Sequence, residues 1–133
     1  MLMYSISEVS RLTDTSAHTI RYYEKEGLLF PDRTANGVRQ YDDKHIDWLR
    51  FVLRLRATHM PIDQIRQYVA LFRASSDDHD TAPDRLALLE QHQTLVRAQL
   101  AELQLTEQMI TEKISSYHRL HPSIPGKQPS QSR

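Results

Sequence analysis

The longest uninterrupted pattern in the chain decides the first question about its fold. Residues 85–121 contain neither glycine nor proline, and Leu86, Leu89, Gln93, Val96, Leu100, Leu103, Glu107, Ile110, Ile114 and Tyr117 follow one another at steps of three and four. Eight of these ten are apolar. Alternating steps of three and four hold a stripe on one side of a helix. This stripe runs too far for one small core to cover, so it reads as a coiled-coil seam. The expectation is a dimerisation helix over 85–121, with Leu86, Leu89, Val96, Leu100, Leu103, Ile110, Ile114 and Tyr117 at the interface. At about 1.5 Å per residue, the seam from Leu86 to Tyr117 is about 48 Å long. Gln93 and Glu107, polar within the seam, are expected to fix register and partner at some expense in stability.

The rest of the 133 residues leaves room for one modest core. That core is expected over 3–73. Residues 74–84 carry no large apolar side chain and end near a proline, so they read as a linker, and 122–133, rich in Pro, Ser, Gln and Lys, read as a disordered tail. Cysteine is absent, which removes disulfides, thiolate metal sites and a cysteine nucleophile. No run of about 18 apolar residues occurs, and the start Met1-Leu2-Met3-Tyr4 lacks the basic and long apolar parts of a secretory signal. A soluble cytoplasmic protein is expected. The formal net charge is zero, but it is unevenly spread: 11 basic against 9 acidic residues in 1–73, 3 against 8 in 74–118, and 3 against none beyond. The N-terminal half is the part suited to a polyanion.

Within that half, Ser5 precedes Glu8 by three residues, the spacing of a capping box, and Ile6, Val9 and Leu12 form the stripe of a first helix. Asp14 and Thr15 make a short break. Ser16 then caps a second helix that runs through Ile20 and Tyr23 toward Gly27, whose residue type suits a left-handed stop. Two short helices with a tight turn are helix-turn-helix geometry, in which the second helix offers its N-terminal residues to the major groove. With Ile20 facing inward, Ala17, His18 and Arg21 project outward. Further along, Asn36-Gly37 lies between two short extended runs and suits a two-residue type I′ hairpin. Centred there, the turn sets Ala35 opposite Val38 and Thr34 opposite Arg39. Arg33 and Arg39 then sit on a two-stranded wing, where guanidinium groups can hold phosphate oxygens. Asp42 or Asp43 caps a third helix with Ile46, Leu49, Val52 and Leu53, and Pro61 opens a fourth with Ile65, Tyr68 and Leu71 or Phe72. Arg50, Arg54 and Arg56 lie on the third helix.

The run Thr19-Ile20-Arg21-Tyr22-Tyr23-Glu24-Lys25-Glu26-Gly27-Leu28-Leu29, followed by Arg33, Asn36-Gly37, Arg39 and Tyr41 and continuing through Asp42 to Tyr68, resembles the DNA-binding domain of MerR-type transcription regulators. The resemblance implies a mainly α fold: a winged helix-turn-helix with a small β-hairpin wing, a second helix pair, and an antiparallel two-helix coil joining two subunits. It implies double-stranded promoter DNA as partner, met through Ser16, Ala17, His18, Thr19, Arg21, Tyr22, Arg33, Asn36, Gly37, Arg39 and Tyr41. It also implies a homodimer on a palindromic promoter that bends and untwists an overlong spacer, so that RNA polymerase engages both promoter elements.

Two departures stand out. Asp14 and His59 occupy positions where the family usually has glycine; both residue types tolerate positive φ, so the geometry is expected to survive at a small cost. The sensing routes of such regulators depend on cysteines or on a large added C-terminal domain. The sequence has no cysteine, Arg54 stands where aldehyde-responsive members carry one, and only about a dozen residues follow the helix, so neither route is expected. Asp78-His79-Asp80 and the pair His118 and His121 are the remaining ligand-type residues. A solvated linker and a frayed helix end account for them, and no metal or cofactor is expected. No nucleophile beside a base and no phosphate-cradling glycine loop occur, so no enzyme is expected. The competing reading is a non-regulatory coiled-coil or architectural DNA-binding module.

Overall fold

The computed structural model describes residues 2–126 and consists of α1 (Ile6–Thr13), α2 (Ala17–Lys25), β1 (Asp32–Arg33), β2 (Arg39–Gln40), α3 (Asp43–Ala57), α4 (Ile62–Ala74) and α5 (Ala82–Leu120). Two compact units are present, the first ending at His92 and the second beginning at Gln93. The first holds the core.

Local chemistry starts each helix of the first unit. The Ser5 Oγ accepts the Glu8 N–H at 3.1 Å and the Glu8 carboxylate accepts the Ser5 N–H at 2.8 Å, which completes the expected capping box of α1. Ser16 caps α2 through the Thr19 N–H at 3.1 Å. Asp42 caps α3 by accepting the His45 N–H at 3.0 Å, while the His45 Nδ1 accepts the Asp42 N–H at 2.9 Å. The ends are equally local. Asp14 at φ 52, Gly27 at φ 78 and His59 at φ 71 take the left-handed conformation. In each case the N–H of the following residue reaches back to a carbonyl five positions earlier: Thr15 to Ser10, Leu28 to Tyr23, and Met60 to Leu55. Such closures satisfy the last helical carbonyls. Both family departures therefore adopt the glycine-like geometry expected of them.

The core joins Val9, Ile20, Tyr23, Leu28, Leu29, Tyr41, Ile46, Leu49, Val52, Leu55, Met60 and Ile65. Of the α1 stripe, Ile6 and Val9 pack inward but Leu12 is 46% exposed. Three-residue steps fall about 60° short of a full turn each time, so over two steps Leu12 has drifted away from the buried side. On α3, Leu55 is buried and Leu53 packs only at the edge; on α4, Ile65 and Val69 are buried while Phe72 is exposed. Tyr4 and Tyr41 exchange both backbone hydrogen bonds, at 2.7 and 2.9 Å, and so tie the segment before α1 to the strand before α3. Arg66 on α4 fastens the end of α2. Its Nε donates to the Glu26 carbonyl at 3.0 Å, its Nη2 to the Glu26 carboxylate at 2.6 Å and its Nη1 to Asp63 at 2.5 Å.

The interval read as a linker is shorter and better anchored than its composition suggests. α5 begins at Ala82, because Pro83 suits a first helical turn and Asp84 meets the positive end of the helix dipole there. Thr81 is buried: its hydroxyl donates to the Leu71 carbonyl at 2.6 Å, and its N–H donates to Ser75 Oγ at 3.2 Å. Near the end of the same unit His92 is buried with its Nε2 2.7 Å from the Thr58 hydroxyl. The same hydroxyl faces the Arg54 and Leu55 carbonyls at 3.0 and 3.1 Å.

The second unit is the remainder of α5 and a short turn after it. Leu100, Leu103, Ile110, Ile114 and Tyr117 are between 52% and 67% exposed in the single chain. Of the expected tail 122–133, residues 122–126 follow α5 without regular structure, and 127–133 lie outside the described residues.

Candidate nucleic-acid interface

α2 buries Ile20 and Tyr23 and presents a polar face. His18, Arg21 and Tyr22 are exposed, Tyr22 by 45%, and Ala17 is half-buried at the N-terminal end. The spacing 18, 21, 22, 25 adds Lys25 to the same face, a residue the sequence reading passed over although it lies four positions after Arg21. Ser16 and Thr19 are placed beside this face, but their hydroxyls bond each other at 3.0 Å and build the helix start.

The wing differs in register from the expected type I′ hairpin. Asp32 pairs with Gln40 and Arg33 with Arg39. Beyond them, the Thr34 N–H donates to the Val38 carbonyl at 2.9 Å, and the Gly37 N–H closes the turn on the Thr34 carbonyl at 2.9 Å. Only Gly37, at φ 82, has positive φ here; Asn36 does not. A type I′ turn needs two such residues, whereas a three-residue loop ending on a left-handed glycine needs one. Thr34 thus faces Val38, one position away from the expected pairing, and Asn36 and Gly37 form the exposed tip.

That register puts two guanidinium groups directly opposite each other, a repulsive arrangement on a ribbon. Glu24 of α2 resolves it. Its Oε2 accepts from Arg33 Nη2 at 2.7 Å and its Oε1 from Arg39 Nε at 2.5 Å. The hydrogen bond to Glu24 also raises the Arg39 pKa above the ordinary arginine value, so the wing keeps its positive charge. Arg33 spends its second Nη on the Gly37 carbonyl at 3.0 Å. Arg39 is bound only through Nε among the described residues, which leaves its two Nη groups without a partner there. Glu24 joins the candidate site through its contacts with Arg33 and Arg39. No local spacing marks it, since its partners lie 9 and 15 residues ahead.

Tyr41 requires a correction. Expected at the DNA surface, it is 1% exposed and belongs to the core, because its backbone pairs with Tyr4 beneath the wing. Its hydroxyl has no hydrogen-bond partner among the described residues, and burial pushes its pKa up. Of the α3 arginines, Arg50 donates to the Leu12 carbonyl at 3.2 Å and Arg56 to the Met60 carbonyl at 2.7 Å, so both brace neighbouring turns.

Asp80 accepts the Ala82 N–H at 2.9 Å, and His121 stacks on Tyr117 at 6.2 Å, which are helix-end roles. Among the described residues, the group with metal-ligand spacing is instead Asp32, Asp42 and His45, within 4.8 Å of one another. Asp42 and His45 already form the α3 capping box.

Comparison with known proteins finds the same architecture. Residues 4–71 match the MerR HTH family regulatory protein and residues 46–113 match the MerR DNA-binding region. The HTH-type transcriptional regulator HmrR of Sinorhizobium medicae is 40% identical over 91 residues, 65% of this chain and 62% of that protein. The chain therefore spans less than two thirds of HmrR. An HTH-type transcriptional regulator of Haemophilus influenzae is 30% identical over 120 residues, covering 89% of this chain and 86% of the relative. The crystal structure of HiNmlR, a MerR family regulator lacking the sensor domain, bound to promoter DNA, has a TM-score of 0.81 at 28% identity, covering 92% of this chain and 95% of that one.

Proposed function

This chain belongs to the MerR family of helix-turn-helix transcriptional regulators, and on that premise we propose that it binds a palindromic promoter as a homodimer and controls transcription by bending and untwisting the spacer. The observation that carries this reading is the Glu24 clamp, which fixes a cationic wing against the helix whose exposed face bears His18, Arg21 and Tyr22. Such a unit divides the work of DNA binding. Arg21 stands where a guanidinium can meet a guanine edge with paired hydrogen bonds, and His18 and Tyr22 flank it. Arg39 holds the backbone and fixes register without reading sequence.

The exposed apolar residues of the second unit support self-association. Leu100, Leu103, Ile110, Ile114 and Tyr117 recur at coiled-coil spacing, and leaving them in water forfeits roughly 1.5 to 3 kcal/mol for each large side chain. A second copy is the partner that the seam fits. Deformation of the spacer, with RNA polymerase as the beneficiary, is the part of the reading that rests on the family alone. Promoter DNA and polymerase as partners imply the cytoplasm, and no helix among the described residues is long and apolar enough to cross a membrane.

Selection of bound sequences from random DNA by the purified protein tests this. The expected outcome is an inverted repeat with half-sites about 34 to 36 Å apart, or a multiple of that distance. A lone half-site, or no enrichment at all, overturns the homodimeric promoter reading in favour of an adaptor or architectural module.

A further inference from the structure

One cavity in the first unit belongs to neither the α2 face nor the wing. It measures about 370 Å³, in the range of small-molecule sites, and is lined by Phe30, Trp48, Tyr68 and Phe72, with Lys44 and Arg73 as its cations. Trp48 and Tyr68 are stacked, their centroids 5.7 Å apart and their planes at 14°, so the two rings lie nearly parallel. The Trp48 indole N–H is already spent on the Leu28 carbonyl at 2.6 Å, so what this ring offers a ligand is its π surface. Phe30 and Phe72 are exposed although both are large and apolar. The Arg73 guanidinium lies 3.9 Å from the centre of the Phe30 ring, and neither Lys44 nor Arg73 is paired with a carboxylate among the described residues. No acidic residue lines the cavity.

Flat aromatic walls select planar rings through stacking, and unpaired cations above them select an anion. We propose that this cavity binds a planar aromatic compound carrying a carboxylate or phosphate, with its ring extending the Trp48–Tyr68 stack and its anionic group between Lys44 and Arg73. The site reaches the DNA-binding elements through two short links. Trp48 is hydrogen-bonded to Leu28 just after α2, and Phe30 lies two residues before β1. An occupant presses on the junction of reading helix and wing, which assigns an effector input to a chain without cysteine. The regulatory consequence rests on the promoter-binding reading; ligand binding itself does not.

The test uses the full chain without DNA and 2-naphthoate as probe. Two controls are 2-naphthalenemethanol, which has the ring without the charge, and cyclohexanecarboxylate, which has the charge without the flat ring. Titration calorimetry is expected to show one saturable site per chain for 2-naphthoate and at least tenfold weaker binding of both controls. Trp48 is the only tryptophan, so a single indole N–H resonance reports occupancy by NMR and is expected to shift with the same midpoint. Lys44→Gln together with Arg73→Gln, both on exposed positions, is expected to weaken 2-naphthoate at least fivefold while leaving the unfolding midpoint in place. No saturable binding, equal affinity for all three compounds, or an unchanged affinity in the double variant overturns the proposal. A promoter-selection failure with intact 2-naphthoate binding overturns only the regulatory consequence.

Discussion

Replacing Tyr41 by phenylalanine isolates one oxygen atom. The ring is held in the core and packs edge-on against His45 at 6.1 Å and 87°, a contact that phenylalanine keeps. The hydroxyl is buried without a hydrogen-bond partner among the described residues, and burying an unsatisfied hydroxyl costs about 1 to 3 kcal/mol. The lower end applies, because polar surroundings compensate part of the lost hydration. Tyr41→Phe is therefore expected to stabilise the fold by about 1 kcal/mol. In urea, with a slope of about 1 to 3 kcal/mol per molar, the midpoint rises by roughly 0.3 to 1 M at fixed protein concentration. Promoter affinity, read by fluorescence anisotropy, stays the same, since a core oxygen touches no DNA. Two results refute the reasoning: a loss of stability above about 1 kcal/mol, which reveals a hydrogen bond to this hydroxyl, or weakened DNA binding at undiminished stability, which returns Tyr41 to the interface.

Further substitutions address other parts of the molecule. His59→Gly removes the strain of a left-handed non-glycine residue, about 1 to 2 kcal/mol, against a glycine entropy cost of about 0.5 to 1, so a net gain of about 0 to 1.5 kcal/mol is expected in thermal or urea unfolding. Arg39→Ala is expected to weaken specific and random DNA alike and to lower the salt slope by about one. Arg21→Ala is instead expected to cost about 1 to 3 kcal/mol at one base position, a difference read by binding to a panel of mutated sites. Leu100→Asp removes two seam leucines from the dimer, about 3 to 6 kcal/mol in all, and so weakens association more than about hundredfold; light scattering should find monomers and footprinting should find the palindrome unprotected. The Asp42 carboxyl is held below its ordinary pKa chiefly by the His45 N–H, so its contribution is fully present above about pH 4 and is lost as pH falls through the depressed value. Asp42→Asn should accordingly flatten the loss of stability on acidification in a pH series of unfolding midpoints.

What could be read directly from the chain is what depends on near neighbours. Ser5 with Glu8, Ser16 with Thr19, and Asp42 with His45 are interactions across three residues, and the left-handed stops at Asp14, Gly27 and His59 follow from residue type at a helix end. The hairpin was visible but not its register, since Asn36-Gly37 supports either a two- or a three-residue loop. The choice moved Arg33 opposite Arg39 and created the need for Glu24. Tyr41 could not be placed, because its burial depends on pairing with Tyr4, 37 positions away. Thr81 and His92 were hidden for the same reason: polar residues in a polar stretch and between seam positions carry no sign of a distant partner such as Leu71 or Thr58.

The grip of Arg66 on Glu26 has a consequence for how this unit can be taken apart. Three of its guanidinium nitrogens are spent, two of them on the carbonyl and carboxylate of the residue that ends α2. The reading head is thereby bolted to α4 across 40 positions of sequence. A chimera that imports α1 and α2 from a relative to change the half-site it reads must bring residues 26 and 66 as a matched pair. Importing the head alone removes the carboxylate at residue 26 and leaves only the backbone carbonyl there for Arg66 to hold, so the graft carries its contact residues with a looser grip on the angle at which they meet the groove.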